Sequence, residues 1–181
     1  MLQRFRSPDG CLNLALNQIP GPGLALEFGV ASGRTLRAIA AAMPPGSRVV
    51  GFDSFDGLPE HWRDGFGVGM FRTDPPSVPG AELVVGLFAD TLPDWAPADD
   101  DGPIRLVHID CDLYSSTRDV LTHIGPHLEP GALLVFDEFH GYPGATEHEA
   151  KAWAEWVEAT GAEWTALAEG PEQALIRLEA R

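Results

Sequence analysis

Short apolar segments alternate with helical patterns along most of this chain, and this alternation constrains the fold more than any other feature. Strands are predicted at 24–28, 48–52, 83–88, 104–109 and 131–136, and helices at 7–19, after Gly33, after Ser116 and from Thr146. Such alternation predicts a parallel sheet with helices on both faces. Two closing strands, 163–167 and 173–178, are typical of a hairpin at the sheet edge. Thr146 and Glu149 have the spacing of a capping box.

Length and charge exclude several classes of function. The 181 residues suit one domain over 1–181, and no apolar run is long enough for a transmembrane helix. The first residues lack the apolar core of a signal peptide, so we expect a cytoplasmic protein. Twelve basic against 27 acidic residues give a net charge of −15. This charge opposes nucleic acids and anionic membranes as partners and leaves a small-molecule substrate.

The segment 54–80 is unusually long for a connection inside one domain. It contains eight glycines or prolines before Gly80. Five large apolar residues are scattered among them, and all except Met70 are aromatic: Phe55, Trp62, Phe66, Met70 and Phe71. Connections of this length are usually lids, binding segments or linkers. Because aromatic residues are unusual in a linker, we predict that 54–80 is a substrate-facing or lid loop.

Polar residues follow five successive strands at the point where each strand ends. In an open parallel sheet, ligands bind at the carboxyl ends of the strands, near the switch in strand order. The residues placed there are Glu27 to Gly33, Asp53, Phe88 and Asp90, Asp110 and Asp112, and Asp137, Glu138 and His140. The sequence therefore predicts a ligand site at this edge.

The first strand end indicates the class of cofactor. A glycine-rich turn with Gly29 and Gly33 lets backbone approach a ligand closely, and Asp53 can accept bonds from ribose hydroxyls. A dinucleotide site needs more glycines around its pyrophosphate, and Glu27 brings a negative charge to the turn. A carboxylate suits an ammonium or sulfonium group, so this pattern favours S-adenosylmethionine over a nicotinamide cofactor.

A second group of carboxylates follows the fourth and fifth strands. Asp110, Asp137 and Glu138 would repel one another unless a cation lay between them, and oxygen-only ligands suit Mg²⁺ or Ca²⁺. The alternative is that Asp137 and Glu138 cap a helix or face solvent. Asp112 is interpreted as a solvated or capping acid, and His108 as a core residue with its ring satisfied.

The order of motifs resembles a known family. The motifs are Glu27-Phe28-Gly29, Gly51-Phe52-Asp53-Ser54-Phe55-Asp56-Gly57-Leu58-Pro59, Gly86-Leu87-Phe88, Asp110-Cys111-Asp112-Leu113-Tyr114-Ser115-Ser116-Thr117 and Phe136-Asp137-Glu138-Phe139. Over roughly residues 24–160 the chain resembles the macrocin-type sugar O-methyltransferases, a metal-dependent branch of the class I S-adenosylmethionine enzymes. Relatives methylate sugar hydroxyls on macrolide-like natural products.

The resemblance implies a fold and a set of roles. It implies a Rossmann-like class I methyltransferase fold, with a mostly parallel sheet of seven strands and an antiparallel C-terminal strand. Mg²⁺, or another divalent cation, is expected at Asp110, Asp137 and Glu138. The cofactor-binding set is Glu27, Phe28, Gly29, Ala31, Ser32, Gly33, Asp53, Ser54, Phe88 and Asp110, with Glu27, Gly29 and Ser32 around methionine and Ser54 and Phe88 near adenosine.

Three departures from the family pattern affect the expected chemistry. The family commonly has two aspartates where this chain has Asp137-Glu138. Few residues precede the first strand, so the acceptor pocket is expected to be open, or covered by the 54–80 loop or by the second subunit of a homodimer. No lysine follows these strands, which leaves His140, or a metal-bound Asp110, as the expected catalytic base.

Two other functions stay open at this point. One is a nicotinamide-dependent oxidoreductase on a Rossmann fold, which would be stabilised by NAD and not by S-adenosylhomocysteine. The other is a non-catalytic cofactor-binding module, which would bind the cofactor and methylate nothing.

Overall fold

Eight strands form the sheet of the computed structural model, which describes residues 2–180. In chain order they are β1 (Gln3–Arg4), β2 (Leu24–Phe28), β3 (Arg48–Asp53), β4 (Glu82–Val85), β5 (Ile104–Ile109), β6 (Leu133–Phe136), β7 (Glu163–Glu169) and β8 (Ala174–Ala180). Across the sheet the order is β1-β7-β8-β6-β5-β2-β3-β4. Among the described strands β8 alone is antiparallel to its neighbours. The predicted mostly parallel α/β sheet is confirmed.

Five α-helices cover the two faces of this sheet. They are α1 (Gly10–Gln18), α2 (Arg34–Ala42), α3 (Phe88–Thr91), α4 (Tyr114–Ile124) and α5 (Glu149–Thr160). One core lies under α1 and α2, and a second lies under α4 and α5. Every residue of β2 and β6 is buried because both strands are covered on both faces, and all of these residues except Glu27 are apolar.

The structure differs from the sequence prediction in three elements. It adds an eighth strand, β1, which pairs in parallel with β7 at the sheet edge. The strand predicted at 83–88 ends at Val85, because Gly86 turns the chain with a φ of 147° and Phe88 begins α3. The predicted capping box does not form: His148 precedes α5 without a side-chain cap, and Glu149 is buried.

Strand order reverses beside β2, and this reversal positions the site. From β2 the chain passes outward through β3 to β4, and it then returns to place β5 on the other side of β2. A crevice forms at such a switch point, outside the carboxyl ends of the strands. Within residues 2–180 no helix has the length and hydropathy needed to cross a bilayer.

Candidate functional site

A cavity of about 330 Å³ opens at the carboxyl ends of β2, β3, β5 and β6. Seven predicted site residues line it: Gly29, Ala31, Asp53, Ser54, Phe88, Asp110 and Glu138. Residues of the 54–80 loop, which was predicted to face the substrate, also line it, namely Gly57, Leu58, Pro59, Trp62, Arg63, Phe66 and Phe71. The six other predicted residues do not: Glu27, Phe28, Ser32, Gly33, Asp137 and His140. The structure therefore brings half of the predicted set to one cavity.

Gly29 and Asp53 determine the backbone conformation of the turn after β2. A Cβ at Gly29, whose φ is 92°, would collide with the backbone carbonyl of Asp110, so no other residue fits there. The Asp53 Oδ2 atom accepts hydrogen bonds from the backbone N–H groups of Val30 and Ala31, both at 2.8 Å. Its Oδ1 accepts one from Phe55 at 2.7 Å. Asp53 thus shapes both the turn and the start of the 54–80 loop, a role that the sequence analysis missed.

Glu27 is buried and is not among the residues that line the cavity. It is fully buried opposite His108 on β5, and its Oε1 lies 2.8 Å from His108 Nδ1. Burial alone lowers the pKa of His108, but Glu27, and then the charges of Asp110 and Asp137, raise this pKa to about 9. The two residues form a buried ion pair. His108 is the core residue expected, although its Nε2 has no hydrogen-bond partner among the described residues.

Three carboxylates converge at the other end of the cavity. One oxygen from each of Asp110, Asp112 and Glu138 lies within 4.8 Å of the others. Burial, followed by the neighbouring acidic charges, raises the pKa values of Asp110 and Glu138 well above their usual range. Three oxygen donors at this spacing match the preference of Mg²⁺ or Ca²⁺. The buried Glu138 Oε2, which has no partner in the described chain, also fits a cation ligand.

Asp112 corrects the sequence interpretation. It was expected to be a solvated or capping acid, but its exposed fraction is 7% and it lines the cavity. Burial raises its pKa to about 7, although the charge of Arg63 acts in the opposite direction. Its place in Asp110-Cys111-Asp112 was the signal that could have identified it.

Asp137 does not belong to the three-carboxylate cluster. Its charge nevertheless raises the pKa of Asp110, second only to burial. It also acts on Cys11 of α1: burial, and then the charges of Asp137 and Glu169, raise the Cys11 pKa to about 11. Asp137 therefore lies near the cluster without sharing its 4.8 Å spacing.

Glu149 is a buried acid that the sequence analysis assigned to a helix cap. Its Oε2 accepts a 3.0 Å hydrogen bond from the Glu138 backbone N–H, and its exposed fraction is zero. Burial raises its pKa well above the usual range, although the bond from Glu138 acts against this. Glu149 therefore holds the backbone of Glu138, a member of the cluster, in position. No local sequence pattern distinguishes Glu149 from an ordinary capping residue.

His140 is outside the cavity wall. Its backbone N–H donates to the carbonyl of Glu172 at 3.1 Å, which ties it to the β7–β8 turn. Its Nε2 is buried without a partner among the described residues. Since Asp110 lines the cavity and His140 does not, the geometry favours the carboxylate among the two expected bases.

The 54–80 loop folds over the cavity and is anchored at its first half. Leu58 and Trp62 pack on Leu113, with Phe66 and Tyr142 beside them. The Arg63 guanidinium lies 3.9 Å from the centroid of the Trp62 ring and 4.4 Å from that of Tyr142.

Backbone strain concentrates at the cavity. Four described residues other than glycine have positive φ: Ala31, Phe55, Phe71 and Asp112. Ala31, Phe71 and Asp112 line the cavity. Such conformations cost roughly 1–3 kcal/mol each and persist where the surrounding structure enforces them, most often at functional sites.

Comparisons with known proteins identify the family to which this chain belongs. A family profile described as a methyltransferase domain matches residues 26–139. An 8-demethyl-8-(2,3-dimethoxy-alpha-L-rhamnosyl)-tetracenomycin-C 4'-O-methyltransferase of Streptomyces olivaceus is 30% identical over 143 residues, or 65% of this chain. The chain spans about half the length of that curated relative, 53%.

Solved structures share the fold. CalS11, a calicheamicin methyltransferase, has a TM-score of 0.72 and 28% identity, covering 94% of this chain and 76% of its own. An apo structure of CalS11, titled TDP-rhamnose 3'-O-methyltransferase, gives 0.64 and 27% over the same shares. TomG of Streptomyces achromogenes, solved with S-adenosylmethionine, has a TM-score of 0.56 and 19% identity, covering 98% of this chain and 82% of its own, which supports the fold alone. Because the family profile spans well over half of the sequence, the chain belongs to the methyltransferase domain family.

Proposed function

We propose that this protein is an S-adenosylmethionine-dependent O-methyltransferase that acts on a hydroxyl of a sugar- or polyol-bearing small molecule. The observation that carries the proposal is a single cavity bordered by the Gly29 turn, Asp53 and the cluster of Asp110, Asp112 and Glu138. Family membership adds the reaction class. The relative and CalS11 both bear names that describe a rhamnose-type sugar, which supports a deoxyhexose as the group that is methylated.

The cofactor end of the cavity is the part bordered by Gly29, Ala31, Asp53, Ser54 and Phe88. Three backbone N–H groups already occupy Asp53, which leaves room for about one more hydrogen bond from a ribose hydroxyl. When bound, S-adenosylmethionine supplies an electrophilic methyl group: the acceptor oxygen bonds to it as the S–CH₃ bond breaks, and S-adenosylhomocysteine leaves. The predicted contacts of the cofactor with Glu27, Phe28, Ser32 and Gly33 stay predictions.

The cluster of Asp110, Asp112 and Glu138 is the proposed site for a divalent cation such as Mg²⁺. When bound there, a divalent cation supplies Lewis acidity that makes a coordinated hydroxyl easier to deprotonate. Asp137 was the third ligand expected from the family pattern, and the fold favours Asp112 in its place.

The residues of the chain then have distinct tasks. A carboxylate of the cluster, Asp110 or Asp112, accepts the proton of the hydroxyl that is methylated. His140 is the alternative base, and it is less favoured because it does not line the cavity. Glu149 holds the Glu138 backbone in place. The 54–80 loop excludes water and orients the acceptor, which provides much of the rate through positioning. A single domain over 1–181, a homodimer that covers the cavity mouth and a cytoplasmic location stay predictions.

Calorimetry and a methylation assay test the proposal together. S-adenosylhomocysteine should bind in Mg²⁺ and in EDTA, and S-adenosylmethionine with Mg²⁺ should yield a methylated rhamnoside by mass spectrometry. Binding of NAD instead would favour an oxidoreductase, and cofactor binding without turnover on any sugar would favour a non-catalytic module.

Two variants separate the two possible cation sites. Asp112→Asn should abolish the Mg²⁺ isotherm and lower turnover at least 100-fold, while S-adenosylhomocysteine still binds. Asp137→Asn should retain the Mg²⁺ isotherm, and Asp99→Asn, on an exposed segment, is the charge-matched control. Loss of Mg²⁺ binding in Asp137→Asn alone would instead support the ligand set expected from the family.

A further inference from the structure

Arg63 is the one basic side chain that lines the cavity among the described residues. It lies in the first half of the 54–80 loop, and Asp112 and Glu138 of the carboxylate cluster line the same cavity. Burial raises the pKa of Asp112, and the charge of Arg63 acts in the opposite direction. Because such an effect falls off with distance, Arg63 lies close enough to the cluster to act on a cation that binds there.

Three contacts hold the Arg63 guanidinium in place. Its Nη1 donates to Glu172 Oε2, in the turn between β7 and β8, at 3.1 Å. Its central carbon lies 3.9 Å from the centroid of the Trp62 ring and 4.4 Å from that of Tyr142. The side chains of Arg63 and Glu172 are only 25% and 30% exposed, so water screens this ion pair less than it screens a pair on the open surface. The position of the Arg63 charge is therefore well defined.

Tyr142 connects this arginine to the carboxylate cluster. The Tyr142 hydroxyl donates to the backbone carbonyl of Glu138 at 3.3 Å. The Glu138 backbone N–H in turn donates to Glu149 at 3.0 Å, so the backbone of this cluster residue is held on both sides. The ring that packs on Arg63 thus belongs to a residue that also holds Glu138, which fixes the arginine relative to the cluster.

The cluster can carry more negative charge than a divalent cation neutralises. Asp110, Asp112 and Glu138 provide three carboxylates, and a divalent cation offsets two charges. Arg63 adds a positive charge nearby, but its guanidinium is paired with Glu172 rather than with a cluster carboxylate. The Arg63 charge repels a cation at the cluster, and the Glu172 charge offsets part of that repulsion.

We infer that the ion pair of Arg63 and Glu172 sets the affinity of the carboxylate cluster for a divalent cation, with Arg63 lowering this affinity and Glu172 raising it. The inference rests on the cation site of the proposed function. Neither residue is a ligand, and both are positioning residues that act through their charges. By pairing with Arg63, Glu172 leaves the three carboxylates free for the cation. The ion pair thus does more than anchor the 54–80 loop.

Substitutions at the two ends of one ion pair test the inference. Mg²⁺ is titrated by calorimetry into the wild type, Arg63→Met and Glu172→Gln. We expect the Kd for Mg²⁺ to fall about 10-fold in Arg63→Met and to rise about 3-fold in Glu172→Gln, because a positive and a negative charge are removed near the cation. Both variants break the same ion pair, so the thermal midpoint should fall in both. If the ion pair only anchored the loop, the two Kd values would shift in the same direction, and that result would overturn the inference.

Two further variants separate charge from packing. Arg63→Lys keeps the charge and should hold the Kd for Mg²⁺ within about 2-fold of the wild type, although lysine lacks the planar group that stacks on the rings. Arg72→Met is the matched control, because Arg72 forms an exposed ion pair with Asp56 on the same loop. Since solvent screens that charge, Arg72→Met should leave the Kd for Mg²⁺ unchanged.

The remaining outcomes distinguish this inference from the proposed function. An unchanged Kd for Mg²⁺ in Arg63→Met, or a Kd in Arg63→Lys equal to that in Arg63→Met, would overturn the inference and leave the proposed function standing. If the wild type binds neither Mg²⁺ nor Ca²⁺, the cation site and this inference are both wrong. The isotherm for S-adenosylhomocysteine and the methylation assay then still decide whether the protein transfers a methyl group.

Discussion

The carboxylates in the last residues of β2 and β3 contrast with those that follow β5 and β6, although all of them lie at one edge of one sheet. Glu27 is paired with His108, and Asp53 accepts three backbone hydrogen bonds. Asp110, Asp112 and Glu138 instead face one another, and Arg63, whose charge lowers the pKa of Asp112, is also paired with Glu172.

This contrast separates structural from functional charge. A buried carboxylate with its own partner maintains the backbone geometry of the site. A group of carboxylates without partners destabilises the folded chain and is retained where a ligand compensates it. Three predictions test whether the two regions differ in this way.

The largest effect is expected at the paired side. His108→Leu leaves Glu27 buried without a counter-charge and should lower the free energy of unfolding by about 3–5 kcal/mol. The double variant Glu27→Leu/His108→Leu should recover most of that loss, because both charges are then removed. Urea unfolding measures both. If the single and double variants are equally destabilised, the unpaired charge of Glu27 is not the cause of the lost stability.

A smaller effect is expected at Asp53. In Asp53→Asn the amide group replaces one of the two acceptor oxygens, so at least one of the N–H groups of Val30, Ala31 and Phe55 loses its partner. Stability should fall by about 1–3 kcal/mol, and S-adenosylhomocysteine should bind more weakly. Asp56→Asn, exposed on the adjacent loop, is the matched control. Unchanged stability and affinity would show that Asp53 does not organise the turn.

The smallest effect is expected in the pH dependence of the unpaired side. The folded-state pKa values of Asp110, Asp112 and Glu138 are raised, so the protonated folded form is favoured and stability falls as pH rises from about 4. In EDTA stability should fall steadily between pH 5 and pH 7.5, and Mg²⁺ should restore it.

His108 provides the internal reference for that measurement. Its pKa of about 9, above the usual 6.5, gives stability that is present below pH 6.5 and lost as pH rises through 9. Mg²⁺ should not restore this second loss. Chemical unfolding from pH 5 to 9.5, with and without Mg²⁺, separates the loss of stability due to the carboxylate cluster from the loss due to His108. A single loss that Mg²⁺ does not change would contradict the proposed difference between the two regions.

Strand periodicity in the sequence was enough to predict the sheet. The predicted bounds of β2 and β5 match the structure, because most residues of a strand covered on both faces are apolar. The strand β4 was predicted to extend to residue 88 but ends at Val85. An apolar residue such as Phe88 is compatible with a strand or with a short helix, so the sequence pattern did not show where the strand ends. The edge strand β1 has two exposed residues and no such pattern.

The sequence placed residues at or just after the strand ends beside the cavity. Asp53, Asp110 and Glu138 were predicted in this way and line it, because parallel strands end at one edge. The role of Asp137 as a cation ligand stays a prediction: it is outside the group of three carboxylates, although its charge acts on Asp110. Glu149 was missed because its first-turn position is also that of an ordinary capping acid.

The sequence by itself determined the α/β sheet, the edge that binds ligands and the acidic character of that edge, because these follow from local periodicity and residue type. The tertiary structure alone decided which carboxylates meet, that Glu27 is neutralised by His108, and that Phe71 stands exposed at the cavity mouth. These features depend on contacts between residues far apart in the chain and on backbone conformation, neither of which a local sequence pattern records.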